Sequence, residues 1–374
     1  MRYFIIAGEA SGDLHASNLV AEIRRRDATA DVIGLGGDLM QKQGVRLIRH
    51  YRHMAFMGFS AVIKHLPEVM KNIRVTKEAM EAFRPDVLIL VDYPSFNMRM
   101  AKFAKKTLHC PVYYYISPKI WAWKTYRIKS IKRYVDRMFT IFPFETAFYA
   151  KYNYKVDYVG NPTQKTIDNA LDAHLTREAF CEAHNLPNKP IIALLAGSRK
   201  QEIASCLPTM IAAAFSFKDY QWVVAGAPGV ERSLYEPWAS QGHIVFDATY
   251  QLLQVASAAV VNSGTATLET ALIGTPQVVV YAAPGGRFTY WLKENFLKTR
   301  FISLVNIIAG KEVVCELVAH LFTQQQVERV LRTLLLDENV RREMLDGYKE
   351  IRQILGKHSA ASNAARMIVE SLHH

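Results

Sequence analysis

The stretch 2–7 carries Tyr3-Phe4-Ile5-Ile6-Ala7 without a polar break, stops at Gly8-Glu9-Ala10-Ser11-Gly12-Asp13, and gives way to a helical pattern through about Arg26. That is a strand, a tight loop and a helix. The same succession returns downstream. Val32-Ile33-Gly34-Leu35 reads as a short strand, Pro67 to Phe83 as a helix, and Val87-Leu88-Ile89-Leu90-Val91 as a strand apolar on both faces, the pattern of a strand covered by helices on either side. A helix near Asn97–Thr107, a strand at Val112–Ile116, a basic helix near Tyr126–Tyr134 and a strand at Arg137–Phe142 continue the series. Strands alternating with helices imply right-handed crossovers and a parallel sheet.

The alternation lapses around Gly160-Asn161-Pro162, and Asn185-Leu186-Pro187-Asn188-Lys189-Pro190 is a turn cluster, so a hinge is expected here. Apolar runs then resume at Ile191–Ala196, Gln221–Ala225, Ile244–Phe246, Ala258–Asn262 and Gln277–Tyr281. After about Val327 the periodicity is helical. The expected organisation is α/β with two doubly wound, Rossmann-like domains, 1–163 and 164–345, and a C-terminal helix in 346–374 that packs back on the first.

Length agrees with this division. A single core stops growing at roughly 250–300 residues, and the chain has 374. With 50% hydrophobic and 21% charged residues it is neither a disordered tail nor a disulfide-stapled mini-domain. Cys110, Cys181, Cys206 and Cys315 are scattered without metal-ligand spacing, so no metal is assigned and a reducing cytoplasm is the expected compartment. The first apolar run lacks the length and basic flank of a signal peptide, and no stretch reaches the roughly 18 uncharged residues of a membrane span. The charge changes the picture more: 46 Lys and Arg against 34 Asp and Glu leave a net +12. Nucleic acid, an anionic membrane surface and a phosphorylated ligand would each account for it.

In open parallel sheets, ligands bind beyond the carboxyl ends of strands, where glycine turns bring backbone N–H groups and helix N-termini to an anion. Gly8–Asp13 is such a loop, but it has neither the GxGxxG spacing of a dinucleotide fold nor the lysine of a P-loop. Glu9 would weaken a simple anion nest, so it reads as a group that orients a sugar hydroxyl or takes a proton. Asp92, closing a buried strand in Val91-Asp92-Tyr93-Pro94-Ser95-Phe96-Asn97, stands where desolvation raises a carboxyl toward working pH and makes it a general-base candidate. In the second half, Gly197-Ser198-Arg199 offers Ser198 and a bidentate arginine to a diphosphate. Asn262-Ser263-Gly264-Thr265-Ala266-Thr267-Leu268-Glu269 offers donors from Ser263, Gly264 and Thr265 and a carboxylate, Glu269, for vicinal ribose hydroxyls.

Two further stretches suit a lipid-bearing partner. Ser117-Pro118-Lys119-Ile120-Trp121-Ala122-Trp123-Lys124 runs into Arg127, Lys129, Lys132, Arg133 and Arg137, interleaving aromatic groups with cations. Met54-Ala55-Phe56-Met57-Gly58-Phe59, next to Arg49, Arg52 and Lys64, reads as a membrane-dipping edge. A basic nucleic-acid-binding protein remains the rival outside enzymes, although no nucleic-acid motif is visible.

Five strings taken in order resemble the lipid-A-disaccharide synthase family: Gly8–Asp13, Ile116–Trp123, Gly197-Ser198-Arg199, Ser263–Glu269 and Ser303-Leu304-Val305-Asn306-Ile307-Ile308-Ala309-Gly310. The resemblance implies a GT-B glycosyltransferase of two Rossmann-like domains with a cleft between them, inverting and needing neither metal nor cofactor. It implies transfer from UDP-2,3-diacylglucosamine to 2,3-diacylglucosamine 1-phosphate, giving a β-1,6-linked disaccharide 1-phosphate and UDP, as a step of lipid A biosynthesis. It also implies a cytoplasmic enzyme peripheral to the inner face of an anionic inner membrane, with no nucleic-acid partner and with a homodimer as a candidate assembly. Residue by residue, Glu9 matches a functional glutamate, Arg199 an arginine at the donor diphosphate, Ser263, Gly264, Thr265 and Glu269 the nucleotide loop, and Asn306 an asparagine near it. Ser11, Asp13, Met57, Phe59, Trp121, Trp123 and Lys124 fall to the acceptor and membrane side.

One departure bears on chemistry. The family commonly reads Asp-x-Pro-Asp-Phe-Asn where this chain has Asp92-Tyr93-Pro94-Ser95-Phe96-Asn97. Serine accepts no proton near neutral pH unaided, so either Asp92 or Glu9 serves as base here or the matching residue is not the base in this branch. Cys315-Glu316 replaces a usual Pro-Glu with little chemical consequence. The competing enzyme reading is a UDP-N-acetylglucosamine 2-epimerase or another GT-B UDP-sugar enzyme.

Overall fold

The computed structural model describes residues 1–53, 66–123, 125–239, 242–282, 301–357 and 359–373. The chain divides into two compact units, Met1–Pro162 with Leu355–His374, and Thr163–Ile354. The return to the first unit thus starts at Leu355 rather than at 346.

The first unit is built on a seven-stranded sheet in the order β3-β2-β1-β4-β5-β6-β7, every pairing parallel. The strands are β1 (Arg2–Ala7), β2 (Asp31–Gly36), β3 (Arg46–His50), β4 (Val87–Val91), β5 (Val112–Tyr115), β6 (Arg137–Thr140) and β7 (Asp157–Tyr158). Strand alternation sends Tyr3, Ile5, Ala7, Val87, Ile89 and Val91 to one face. Phe4, Ile6, Leu88 and Leu90 go to the other. Both faces are therefore apolar, and each fully buried Leu, Ile or Val contributes about 1.5–3 kcal/mol. One face is covered by the helices Ala10–Arg26 and Ala360–Leu372, whose Ala16, Leu19, Val20 and Ile23 meet Ala364, Ala365 and Ile368. Arg26 donates to Ser362, and Asn363 to the Val159 carbonyl, which ties the late helix down by its polar rim.

The second unit carries a six-stranded parallel sheet in the order β10-β9-β8-β11-β12-β13. Its strands are β8 (Ile191–Leu195), β9 (Gln221–Gly226), β10 (His243–Phe246), β11 (Ala258–Asn262), β12 (Gln277–Tyr281) and β13 (Glu316–Val318). Ile192 and Leu194 face one core and Ile191, Ala193 and Leu195 the other.

Three strands lie outside the apolar runs. They are β3, β7 and β13, each at or next to a sheet edge, and short or charged, as in Arg46-Leu47-Ile48-Arg49-His50 and Asp157-Tyr158. Edges are kept short and charged to discourage pairing with other chains, so they lack a hydrophobic signature. In both sheets the order reverses once, between β1 and β4 and between β8 and β11. Those switch points are where doubly wound sheets open a crevice at the strand ends. No described helix is long and apolar enough to cross a membrane.

Candidate active site

In the first unit, the loops after β1 and β4 meet at the switch point. Gly8 lies under the Tyr93 ring: a Cβ there would stand 2.3 Å from Tyr93 Cδ1, so only glycine lets the two loops close. Glu9 is the N-cap of the helix Ala10–Arg26, and its charge, with burial, raises the Tyr93 hydroxyl. Ser11 is exposed in the first turn.

Asp92 and Tyr93 both adopt left-handed backbone, φ 44° and 48°, a conformation that costs a non-glycine residue about 1–3 kcal/mol. The surroundings hold them there. Fully buried Asn97 donates its amide to the Asp92 carbonyl at 2.6 Å and the Val91 carbonyl at 3.2 Å, and the Tyr114 hydroxyl donates to the same Asp92 carbonyl. Burial raises the Asp92 carboxyl, while the Lys119 charge and the Tyr93 N–H pull it back. A carboxyl raised by burial in this way is suited to take a proton near neutral pH. Ser95 lies on the exposed side, accepting from Arg127 at 3.4 Å.

The segment after β5 turns inward. Ile116 has φ 65°, an outlier for a β-branched residue. Ser117 is buried against Glu145, which is 1% exposed. Trp121 is also buried, edge-on to Phe144 at 5.1 Å, so its indole packs the interior instead of presenting apolar surface to a bilayer. Trp123 ends the short helix Ile120–Trp123. Met57, Phe59 and Lys124 lie outside the described residues. Asp13 also works internally: its carboxylate accepts from Gly37, Leu39 and Met40 N–H at 2.8–3.1 Å and caps the helix Asp38–Lys42. With three backbone donors on it, Asp13 shapes the loop from within and has little left for an acceptor sugar.

In the second unit, the loops after β8 and β11 flank the other switch point. Gly197 sits at φ 107°, where a Cβ would press on Glu202 and Asn262. Glu202, one turn into the helix Lys200–Ala214, accepts from Ser198 N–H at 3.1 Å and from Arg199 at 3.0 Å. The Arg199 side chain is 70% exposed and its guanidinium projects toward solvent. Gly264 and Thr265 are exposed at the start of the helix Thr265–Ile273, whose N-terminal dipole favours an anion. The Ser263 hydroxyl donates to the Ile302 carbonyl, tying this loop to the 302–306 segment. Glu269 accepts from the Tyr250 hydroxyl at 3.2 Å, and burial raises its carboxyl.

Asn306 is fully buried. Its amide donates to Val314 O and Glu316, and its Oδ1 accepts from Val313 and Val314 N–H. Glu316 also receives Ile302 N–H, Ser303 N–H and the Ser303 hydroxyl. Every polar atom of the Asn306 side chain is thus engaged within its own loop, and Asn306 supports the Ser263 loop through the Ile302 carbonyl rather than reaching a nucleotide itself.

Tyr114, Glu145, Glu202 and Tyr250 belong to these networks and stand out in no motif, while Asn97 and Glu316 fall in quoted strings without being singled out there. Each matters through a partner distant in sequence or through its burial. The i+3 spacing of Arg199 and Glu202 is the one sequence feature that could have pointed to such a pair.

Solved structures share this architecture. UDP-GlcNAc 2-epimerase from Neisseria meningitidis, bound to UDP-GlcNAc, is similar over the whole of both chains with a TM-score of 0.70 at 14% identity. The calicheamicin glycosyltransferase covers 100% of this chain and 98% of its own, with a TM-score of 0.59 at 14% identity. At such identities the likeness establishes the GT-B fold alone. Sequence relatives go further. The lipid-A-disaccharide synthase of Myxococcus xanthus is 38% identical over 379 residues, covering 99% of this chain and 97% of its own. That of Geobacter metallireducens is 35% identical with the same coverage. The model of the family described as lipid-A-disaccharide synthetase matches residues 3–370, and the chain belongs to that family.

Proposed function

We propose that this glycosyltransferase joins UDP-2,3-diacylglucosamine to 2,3-diacylglucosamine 1-phosphate, forming the β-1,6-linked disaccharide 1-phosphate and UDP. The observation that carries the reading is the match to the family along nearly the entire chain. Asp92 takes the proton of the acceptor primary hydroxyl as that oxygen attacks the anomeric carbon, and the bond from that carbon to the UDP oxygen breaks. Support for Asp92 over Ser95 is chemical: Asp92 is an acid raised by burial, whereas Ser95 is a surface hydroxyl. Arg199 and the N-terminus of the helix Thr265–Ile273 take up the charge that develops on the leaving diphosphate. Glu269 accepts from the ribose hydroxyls, with Tyr250 holding its free rotation in check. Glu9 orients the acceptor.

The enzyme acts as a peripheral protein on the cytoplasmic face of an anionic inner membrane. Support comes from the exposed Lys129, Lys132 and Arg133 and from Tyr126, 69% exposed beside them. Binding to anionic but not zwitterionic vesicles is the expected result in a flotation assay.

Incubation with UDP-2,3-diacylglucosamine, with and without the monosaccharide phosphate, tests the reaction. Release of UDP only when the acceptor is present is expected. Turnover without acceptor would point to the epimerase or hydrolase chemistry of other UDP-sugar enzymes on this fold.

A further inference from the structure

We propose that Glu145 is a positioning residue for proton transfer, holding through Ser117 the turn that sets Lys119 against Asp92. The inference rests on Asp92 being the base.

Glu145 lies in the first turn of the helix Pro143–Ala150. Its Oε1 accepts from the Ser117 hydroxyl at 2.5 Å and its Oε2 from Phe142 N–H at 3.1 Å, and the Tyr149 hydroxyl reaches Ser117 Oγ at 3.5 Å. Among the described residues, three other helices begin with a Thr or Ser hydroxyl as cap, at Thr176, Ser303 and Thr323. A helix start therefore requires no interior acid. Burying a carboxyl without a cation is costly, and burial pushes this one up to about 7.

What the carboxyl secures is the turn after β5. Ile116 holds a left-handed backbone, a strained state that persists only when neighbours over-determine it. Ser117 next to it is pinned by Glu145. Asp92 N–H donates to the Tyr115 carbonyl, at the base of this turn, at 3.3 Å, and two residues beyond Ser117 the exposed Lys119 brings its charge toward Asp92. Asp92 also faces Tyr114, and Glu145 faces Tyr149 and Tyr158. Burial keeps these three tyrosines neutral, so Lys119 is the cation opposing the desolvation of Asp92.

The test compares Glu145→Gln, Ser117→Ala, Lys119→Met and Asp92→Asn for melting temperature and for the pH dependence of UDP release in the presence of both sugar substrates. Lys119→Met should move the acid limb upward by about one pH unit, the loss of one neighbouring charge. Glu145→Gln and Ser117→Ala should move it the same way and lower kcat about 10–100-fold through misplacement, with donor KM near wild type and, in mild acid where Glu145 is protonated, a melting temperature near wild type. Wild-type kcat and acid limb in both variants, alongside an inactive Asp92→Asn, would overturn the role of Glu145 alone. A loss of activity that follows the melting temperature with the limb unmoved would also overturn it. An active Asp92→Asn would instead remove the base assignment on which the inference stands.

Discussion

Asn97→Ala tests how the base is held. Asn97 is completely buried on the helix Pro94–Phe103, and its amide bonds two successive carbonyls, Val91 and Asp92. Each lost bond costs about 1–1.5 kcal/mol net, and truncation of the buried side chain adds to it, for a total of about 2–4 kcal/mol. In a unit of this size each kcal/mol moves the melting temperature by about 2–4 °C, so a fall of about 4–16 °C is expected. The catalytic effect has a separate origin. Asp92 and Tyr93 have relaxed conformations about 1–3 kcal/mol per residue below their left-handed ones, and cutting the clamp opens that route. UDP release should then fall about 10–100-fold in kcat, with donor KM little changed, because the loops proposed for the nucleotide belong to the other unit. Asn97→Asp should be worse in both respects, since it sets a buried acceptor against two carbonyls. Thermal unfolding and acceptor-dependent UDP release at saturating donor measure the two quantities. A lowered melting temperature with unchanged kcat would refute the idea that the clamp positions Asp92, and an unchanged melting temperature would refute the energetic argument itself.

Asp92→Asn should lower kcat about 10²–10⁴-fold and Ser95→Ala only mildly; the reverse order in the same UDP-release assay would move the base elsewhere. Arg199→Ala should lower turnover about 10²–10³-fold, and near-wild-type rates would remove it from the leaving group. Tyr250→Phe deletes a hydrogen bond that favours ionised Glu269, so the carboxyl rises further and the acid limit of UDP binding moves to higher pH, readable by titration calorimetry. Glu145 gives a stability signature. Its folded value, about 7 against 4.5 for an unburied glutamate, means its contribution is complete below 4.5 and is lost as pH rises through about 7. The change amounts to about 3 kcal/mol. Melting curves from pH 4 to 8 should show that decline in the wild type and a smaller one in Glu145→Gln.

The order of elements was legible because runs such as Val87–Val91 and Ile191–Leu195 are apolar at every position and bounded by turn residues, the pattern of a strand buried on both faces. Loop placement was legible where it is local: Gly197-Ser198-Arg199 and Ser263-Gly264-Thr265 follow the strands β8 and β11 directly. Three things were not. The edge strands β3, β7 and β13 carry charges or too few residues to stand out. Asp13, Trp121 and Asn306 look like site residues by type, yet their polar atoms or rings are engaged internally, by Gly37, Phe144 and Val313, partners that sequence does not announce. Conversely, Asn97, Tyr114 and Glu145 gain their meaning from carbonyls and hydroxyls brought near by the sheet. Tyr114, for example, reaches Asp92 because β5 lies beside β4.

The helix Ala360–Leu372 closes the first unit, but Thr163–Ile354 lies before it in the chain. During synthesis the partners of this helix, Leu19, Val20 and Ile23, emerge long before it does. At about 5–20 residues per second, the intervening unit occupies the ribosome for about 10–40 s, and through that interval an apolar stripe of the first unit lacks its cover. The second unit can fold from its own contiguous stretch meanwhile. Completion of the first must wait for the last helix, so truncations before Ala360 should leave nascent protein dependent on chaperones even though both halves of the catalytic chemistry have already been made.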